Sequence, residues 1–252
     1  MLQTQATQKR DGVARCTRYG FGPNKLHLCG PDANREVLAY IEAGASDPGL
    51  EHILTGFKTL YPYLQEISRA NHIADPFDDR VVKAYWIGNE LLQSVPAQQF
   101  FRHLRDNLDL KRKYGPKEFN ELVGKLPKGA HMHHSFHVFN AYKRTGHDAK
   151  LHTLESMDAC RVSWGKVTAI EGHKITIHRQ PLIQVNRKLT LGPEEATTIM
   201  RRLEEDASLD DLTIGDLVSM HWSVICEIIT PKDVQWLKHY TDLSIHLSNQ
   251  TL

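Results

Sequence analysis

Long apolar runs are missing from this chain, whose hydrophobic residues come a few at a time. That excludes a membrane-spanning helix, which needs about 20 consecutive apolar residues. Charge of one sign is missing too: 31 Lys plus Arg stand against 30 Asp plus Glu. A chain so balanced has no global electrostatic footprint for nucleic acid. Cysteine is scarce, with Cys16, Cys29, Cys160 and Cys226 far apart and no C-x-x-C pair, so neither a zinc ribbon nor a thioredoxin-like motif is present. The polar stretch 1–18 lacks the apolar segment of a signal peptide. A cytoplasmic location is therefore the expectation, with the four thiols reduced. No G-x-x-x-x-G-K-[ST], strand-associated G-x-G-x-x-G or G-x-S-x-G occurs, so P-loop phosphoryl transfer, Rossmann hydride transfer and serine-elbow hydrolysis lose their usual support.

What is present divides near residue 128. From about 32 to 126 the apolar spacing is helical. Asp32 is placed to cap a helix carrying Val37, Leu38 and Ile41, and a second helix carries Ile53, Leu54, Phe57, Leu60 and Leu64. Asp75-Pro76 begins a third, with Val81 and Tyr85 inward. Ser94-Pro96 and Gly115-Pro116 begin two more. After Pro127 the texture changes. Strands are expected over 161–170, 174–179, 181–185, 188–191 and 217–222, with a bulge at Gly165 and a turn at Glu171-Gly172-His173. Helices are expected from Pro193 through Glu205 and from the Thr230-Pro231-Asp233 start to about His239. The fold class is thus α+β: an orthogonal helical bundle (1–128), then a small curled sheet or partial barrel with flanking helices (129–252).

Histidine is abundant, at 15 residues, and its distribution matters more than its number. His131, His133, His134 and His137 fall within seven residues, and His147 follows ten later. Neutral imidazole is the commonest protein metal ligand, and convergent imidazoles suit zinc, iron, nickel or copper. As a strand, residues 131, 133, 135 and 137 share a face; as a helix, His133, His134 and His137 gather at i, i+1 and i+4. The aromatic and β-branched Phe136-His137-Val138-Phe139 favours the strand. The competing reading makes these histidines ordinary hydrogen-bonded residues of a polar core layer.

A metal needs further donors. Cys29, in Leu-Cys29-Gly-Pro just before the expected helix, is placed where a helix dipole lowers a thiol's pKa, making it a ligand or nucleophile. Otherwise it is a small buried residue beside a tight turn. Cys160 and Cys226 read as core residues, and His221 as a satisfied sheet histidine. The basic run Lys111-Arg112-Lys113 reads as a solvated face rather than a nucleic-acid site.

Three segments together carry a resemblance: Tyr19-Gly-Phe-Gly-Pro23-Asn24 through Cys29-Gly30-Pro31, His133-His134-Ser-Phe-His137-Val-Phe139, and Gly215-Asp216-Leu-Val-Ser-Met-His221-Trp222. They resemble an uncharacterised bacterial family whose members accompany nickel–iron hydrogenase genes. The resemblance implies metal handling or hydrogenase maturation, with a hydrogenase or its maturation proteins as partners. Its matching positions are Cys29, His134 and His137, then Asn24 and His221. The expectation is a metal-binding accessory protein holding Fe, Ni or Zn through His133, His134 and His137, with or without Cys29. The alternative is an enzyme in which that metal, or Cys29 with His134 or His137 as base, acts on a small molecule.

Overall fold

The computed structural model describes residues 2–141, 151–200 and 211–251, with side chains from residue 12 onward. His147 lies outside them. The first element, α1 (Leu2–Lys25), has no counterpart in the sequence reading, because its polar start and its glycines carry no amphipathic signal. Those glycines serve close packing: a Cβ on Gly22 would meet the His221 carbonyl at 2.7 Å, so only glycine lets α1 lie against that backbone.

Short helices follow. They are α2 (Asn34–Glu42), α3 (Pro48–Thr55), α4 (Leu60–Ala70) and α5 (Asp79–Trp86). Then come a 3₁₀ turn (Glu90–Ser94) and α6 (Ala97–Arg102), which runs into a π turn (His103–Asn107). The region ends with α7 (Leu110–Tyr114) and α8 (Pro116–Val123). Asp32 does not cap α2; Ala33 holds that position and Asp32 pairs with His27 at 3.3 Å. The helix expected through 53–64 is two, broken between Thr55 and Leu60, and the first is capped by Asp47, which accepts from the Gly49 and Leu50 N–H groups. Asp75 accepts from the Phe77 N–H in a turn, while Asp78 caps α5 three residues later. Val81 and Tyr85 are buried as expected.

The histidine segment is a helix, α9 (His134–Asn140), not a strand. His133 Nδ1 accepts from the Ser135 N–H at its start, and all seven helical residues are buried. Burial on every side removes the solvent-facing alternation that a strand pattern presumes, so local β propensity loses to packing. Next come α10 (Leu154–Cys160), opened by a reciprocal Thr153–Ser156 cap, and β1 (Ser163–Glu171), β2 (Lys174–Arg179), β3 (Leu182–Val185) and β4 (Lys188–Leu191). The last elements are β5 (Glu195–Met200), β6 (Leu217–His221), β7 (Val224–Ile228) and α11 (Pro231–Ser248).

Where a helix was expected from Pro193, β5 pairs with all of β2 from Glu195 to Met200; the β-branched Thr197, Thr198 and Ile199 suit that ladder. The remainder of that expected helix lies outside the described residues. The bulge in β1 falls between Val167 and Ala169 rather than at Gly165, whose added Cβ would strike the His178 carbonyl at 2.5 Å. The Thr230 cap is as expected, but α11 continues nine residues past His239, burying Tyr240, Ile245 and Leu247.

The class is α+β. One antiparallel sheet has the order β5-β2-β1-β6-β7 and does not close; β3 and β4 form a separate hairpin. The largest cluster of buried side chains runs from Val13 to Leu247 and draws on residues before and after 128. Between α1, α5, α9, α10 and the β6–β7 hairpin lies the place where the histidines meet. Among the described residues, no helix is long and apolar enough to cross a membrane.

Candidate metal centre

Three residues from three elements converge: His134 at the start of α9, Cys160 at the end of α10 and His221 at the end of β6. One nitrogen from each histidine and the Cys160 sulfur all lie within 4.8 Å of one another. Each residue is placed by a specific contact. Helix α10 is held by Asp158, whose Oδ1 accepts from Arg161 Nε and the Leu182 N–H, both at 2.9 Å, and whose Oδ2 accepts from Arg179 at 2.7 Å. The two cations more than offset the cost of burial and hold the Asp158 carboxyl below its usual range. The β6–β7 hairpin turns through Trp222 and Ser223, both left-handed (φ 52° and 59°), as a two-residue turn between paired His221 and Val224 demands. The Trp222 N–H donates to the Ala159 carbonyl at 2.8 Å, tying this turn to the helix that carries Cys160.

The hydrogen bonds define the imidazoles. His221 Nδ1 meets the Tyr19 carbonyl at 2.6 Å. A carbonyl only accepts, so Nδ1 carries the proton and Nε2 keeps its lone pair. That Nε2 is buried and makes no hydrogen bond among the described residues. A His whose Nδ1–H is tied to a backbone carbonyl and whose Nε2 is bare is oriented as metal-ligating histidines are. His134 is the mirror case. Its Nε2 donates to the Cys160 carbonyl at 2.8 Å, and its Nδ1 accepts from the Tyr85 hydroxyl at 3.1 Å. To ligate a cation, His134 Nε2 would give up this bond and carry its proton on Nδ1 instead, where the Tyr85 hydroxyl could accept it. Burial drives both pKa values down, His221 to about 4 and His134 well below its ordinary value. For His134 the neighbouring His221 adds to the effect; for His221 the Tyr19 and Cys160 carbonyls oppose it. Both rings are therefore neutral, the form that binds metal. Trp86 flanks the pair, with ring centroids 4.5 Å from His134 and 5.2 Å from His221.

The donor set fits a borderline-soft ion. A tetrahedral centre with bonds of roughly 2.0–2.3 Å holds its ligand atoms about 3.5 Å apart. The 4.0 Å between Cys160 Sγ and His134 Nε2 is within about half an ångström of that separation. A buried nitrogen lone pair with no hydrogen-bond partner, as on His221 Nε2, is one that a cation could satisfy.

The other expected ligands are placed differently. Cys29 and His137 line the same cavity as the three converging residues, but neither belongs to the converging group. His137 Nδ1 pairs with the Tyr63 hydroxyl at 3.1 Å, and burial holds its pKa down to about 3. The thiol of Cys29 is not activated. Helix α2 begins only at Asn34, too far on for its dipole to act, and burial pushes the pKa up to about 11. His133 points away, stacked on Tyr240 with ring centroids 4.9 Å apart, and it serves α9 as its cap. Asn24 is structural: its side-chain N–H₂ donates to the Cys29 and Pro31 carbonyls, fixing the Gly-Pro turn. The sequence reading set Cys160 aside as a core residue. No local pattern marks it, since its role comes from a contact 26 residues from His134 and 61 from His221. His221 was reachable only through the third resembling segment.

No curated protein and no solved structure matches the chain. A family profile does, over residues 8–252, nearly the whole length: the chain belongs to the family of unknown function DUF6390.

Proposed function

We propose that this protein binds one transition-metal ion through His134, Cys160 and His221. The observation that carries this reading is that His134, Cys160 and His221 offer donor atoms within 4.8 Å of one another, with His221 Nδ1 held on the Tyr19 carbonyl and its Nε2 buried without a hydrogen bond. Two imidazoles and a thiolate suit zinc, iron, nickel or copper better than magnesium or calcium. Metal handling as an accessory or maturation factor in the cytoplasm is the role we assign. The nickel–iron hydrogenase and its maturation proteins, as the client, rest on the resemblance of the three segments alone.

A second reading has its own observation. A cavity of about 60 Å³ opens beside the three donors, and three protein ligands with an adjacent space is the pattern of catalytic rather than structural zinc. In that reading the ion acts on a small molecule held in the cavity. Metal analysis of untagged protein tests the shared core of both. Stoichiometric metal in the wild type, lost in His134→Ala, Cys160→Ala and His221→Ala, is the expected result. Metal-free protein that fails to take up added zinc, nickel or cobalt would overturn both readings. Turnover on a small molecule then separates enzyme from accessory factor.

A further inference from the structure

Resting on the metal reading above, we infer that Pro23 is a positioning residue of this site: having no N–H, it leaves the Tyr19 carbonyl to His221. The segment Tyr19-Gly-Phe-Gly-Pro23 lies near the end of α1, and the helix continues through Pro23 to Lys25. In an α-helix each carbonyl accepts from the N–H four residues further on. For Tyr19 that residue is Pro23, which has no N–H and whose ring crowds the carbonyl four residues back. Tyr19 and Pro23 are both buried. A buried carbonyl without its helical donor calls for another, and His221 Nδ1 meets this one at 2.6 Å.

The rest of the segment holds that contact in place. Tyr19 grips β6 twice, by its carbonyl at His221 and by its hydroxyl at Ser219 Oγ, 2.7 Å away. The same hydroxyl donates to Glu227 on β7 at 2.7 Å, and the Tyr19 ring stacks on Trp86 with centroids 5.2 Å apart. Gly22 lets α1 come up to the His221–Trp222 backbone, where a Cβ would meet both residues at 3.0 Å or less. The consequences run in one direction. A carbonyl released by proline takes the Nδ1–H of a neutral imidazole, and that imidazole then keeps its lone pair on Nε2. Pro23 thereby selects which nitrogen of His221 is available to an ion.

The test uses the full-length, metal-free protein with isotope-labelled histidine, in which NMR resolves the ring nitrogen that carries the proton. In the wild type His221 is expected to be protonated at Nδ1. Pro23→Val keeps similar bulk but restores an N–H that competes for the Tyr19 carbonyl. It is expected to move His221 toward the Nε2-protonated form and to weaken zinc binding about 10–100-fold in chelator competition. Pro48→Ala, which removes an exposed proline from the first turn of α3, is expected to change neither. The wild-type spectrum decides even if Pro23→Val does not fold, because a His221 protonated at Nε2 would overturn the inference. So would a Pro23→Val protein in which either the tautomer or the zinc affinity stays as in the wild type. Wild-type protein with the Nδ1–H tautomer and its dependence on Pro23, but with no uptake of zinc, would instead overturn the metal reading.

Discussion

The cavity is lined by two sets of donors of nearly identical composition: His134, Cys160 and His221, and Cys29, His137 and His152. Each offers two imidazoles and a thiol. In the first set the donor atoms lie within 4.8 Å of one another; in the second, no such group forms among the described residues. The difference lies in what anchors each side chain. The first set is aimed inward by the Tyr19 carbonyl, the Asp158–arginine network and the Trp222–Ala159 backbone bond. In the second set, His137 pairs with Tyr63, His152 with Ser156 at 3.2 Å, and Cys29 sits in a loop fixed by Asn24. Residue type supplies the capacity to bind a metal, and positioning by other residues decides whether it is used.

The sharpest way to break this comparison is to truncate both sets. Removing a direct ligand should cost more than the 10–100-fold typical of outer partners, so His221→Ala and Cys160→Ala are each expected to weaken metal binding by over about 100-fold. Cys29→Ala and His137→Ala are expected to change it by less than about threefold. Chelator competition measures both sets, and equal losses from the two would erase the distinction.

A smaller effect is expected one shell out. Tyr85→Phe removes the hydroxyl that holds His134 Nδ1 and should cost about 10–100-fold in metal affinity. Tyr63→Phe, the matching change behind His137, should leave affinity untouched. Titrations of the two variants side by side decide it.

Burial of neutral imidazole is common to both sets and extends beyond them, so acid sensitivity should not distinguish them. His103, buried against Tyr63, shows the effect away from the converging donors. Desolvation, with His137 adding to it, holds its pKa down to about 3, against about 6.5 in an unfolded chain. Between those values the unfolded state binds a proton that the folded state does not. The folded state therefore has its full advantage above pH 6.5 and loses it as the pH falls toward 3. Relative to His103→Leu, the metal-free wild type should lose about 1.4 kcal/mol per pH unit below 6.5, read from urea unfolding at a series of pH values. Parallel pH profiles for the two proteins would show that His103 is protonated in the fold.

The smallest expected effect concerns the thiol that the sequence favoured. With its pKa near 11, Cys29 should react with iodoacetamide at pH 7 more slowly than a free cysteine, and metal loading should not change its rate. Peptide mass spectrometry after timed labelling resolves it. Fast, metal-protected labelling of Cys29 would move it into the coordination sphere.

Much of the architecture was legible beforehand, and the errors share a cause. The α5 face, the α8 start, the β1–β2 hairpin and the Thr230 cap all came from local signals: periodicity, caps and turn residues. The misread elements are those where neighbours overrule local preference. Full burial makes 134–140 helical, pairing with β2 makes 195–200 a strand, and α1 packs closely through glycines that look like breakers.

The same boundary divides the site. The sequence by itself determined the α+β class, the absence of the familiar nucleotide and hydrolase motifs, and the concentration of histidine around residues 131–137. Only the tertiary structure brought His134, Cys160 and His221 together as a group that could hold a metal. Spacing along a chain reports on neighbours within a helix or strand, and these three residues come from separate elements. Their convergence depends on one backbone carbonyl, one half-buried carboxylate and one two-residue turn, and no local pattern in the sequence shows what each of these contacts.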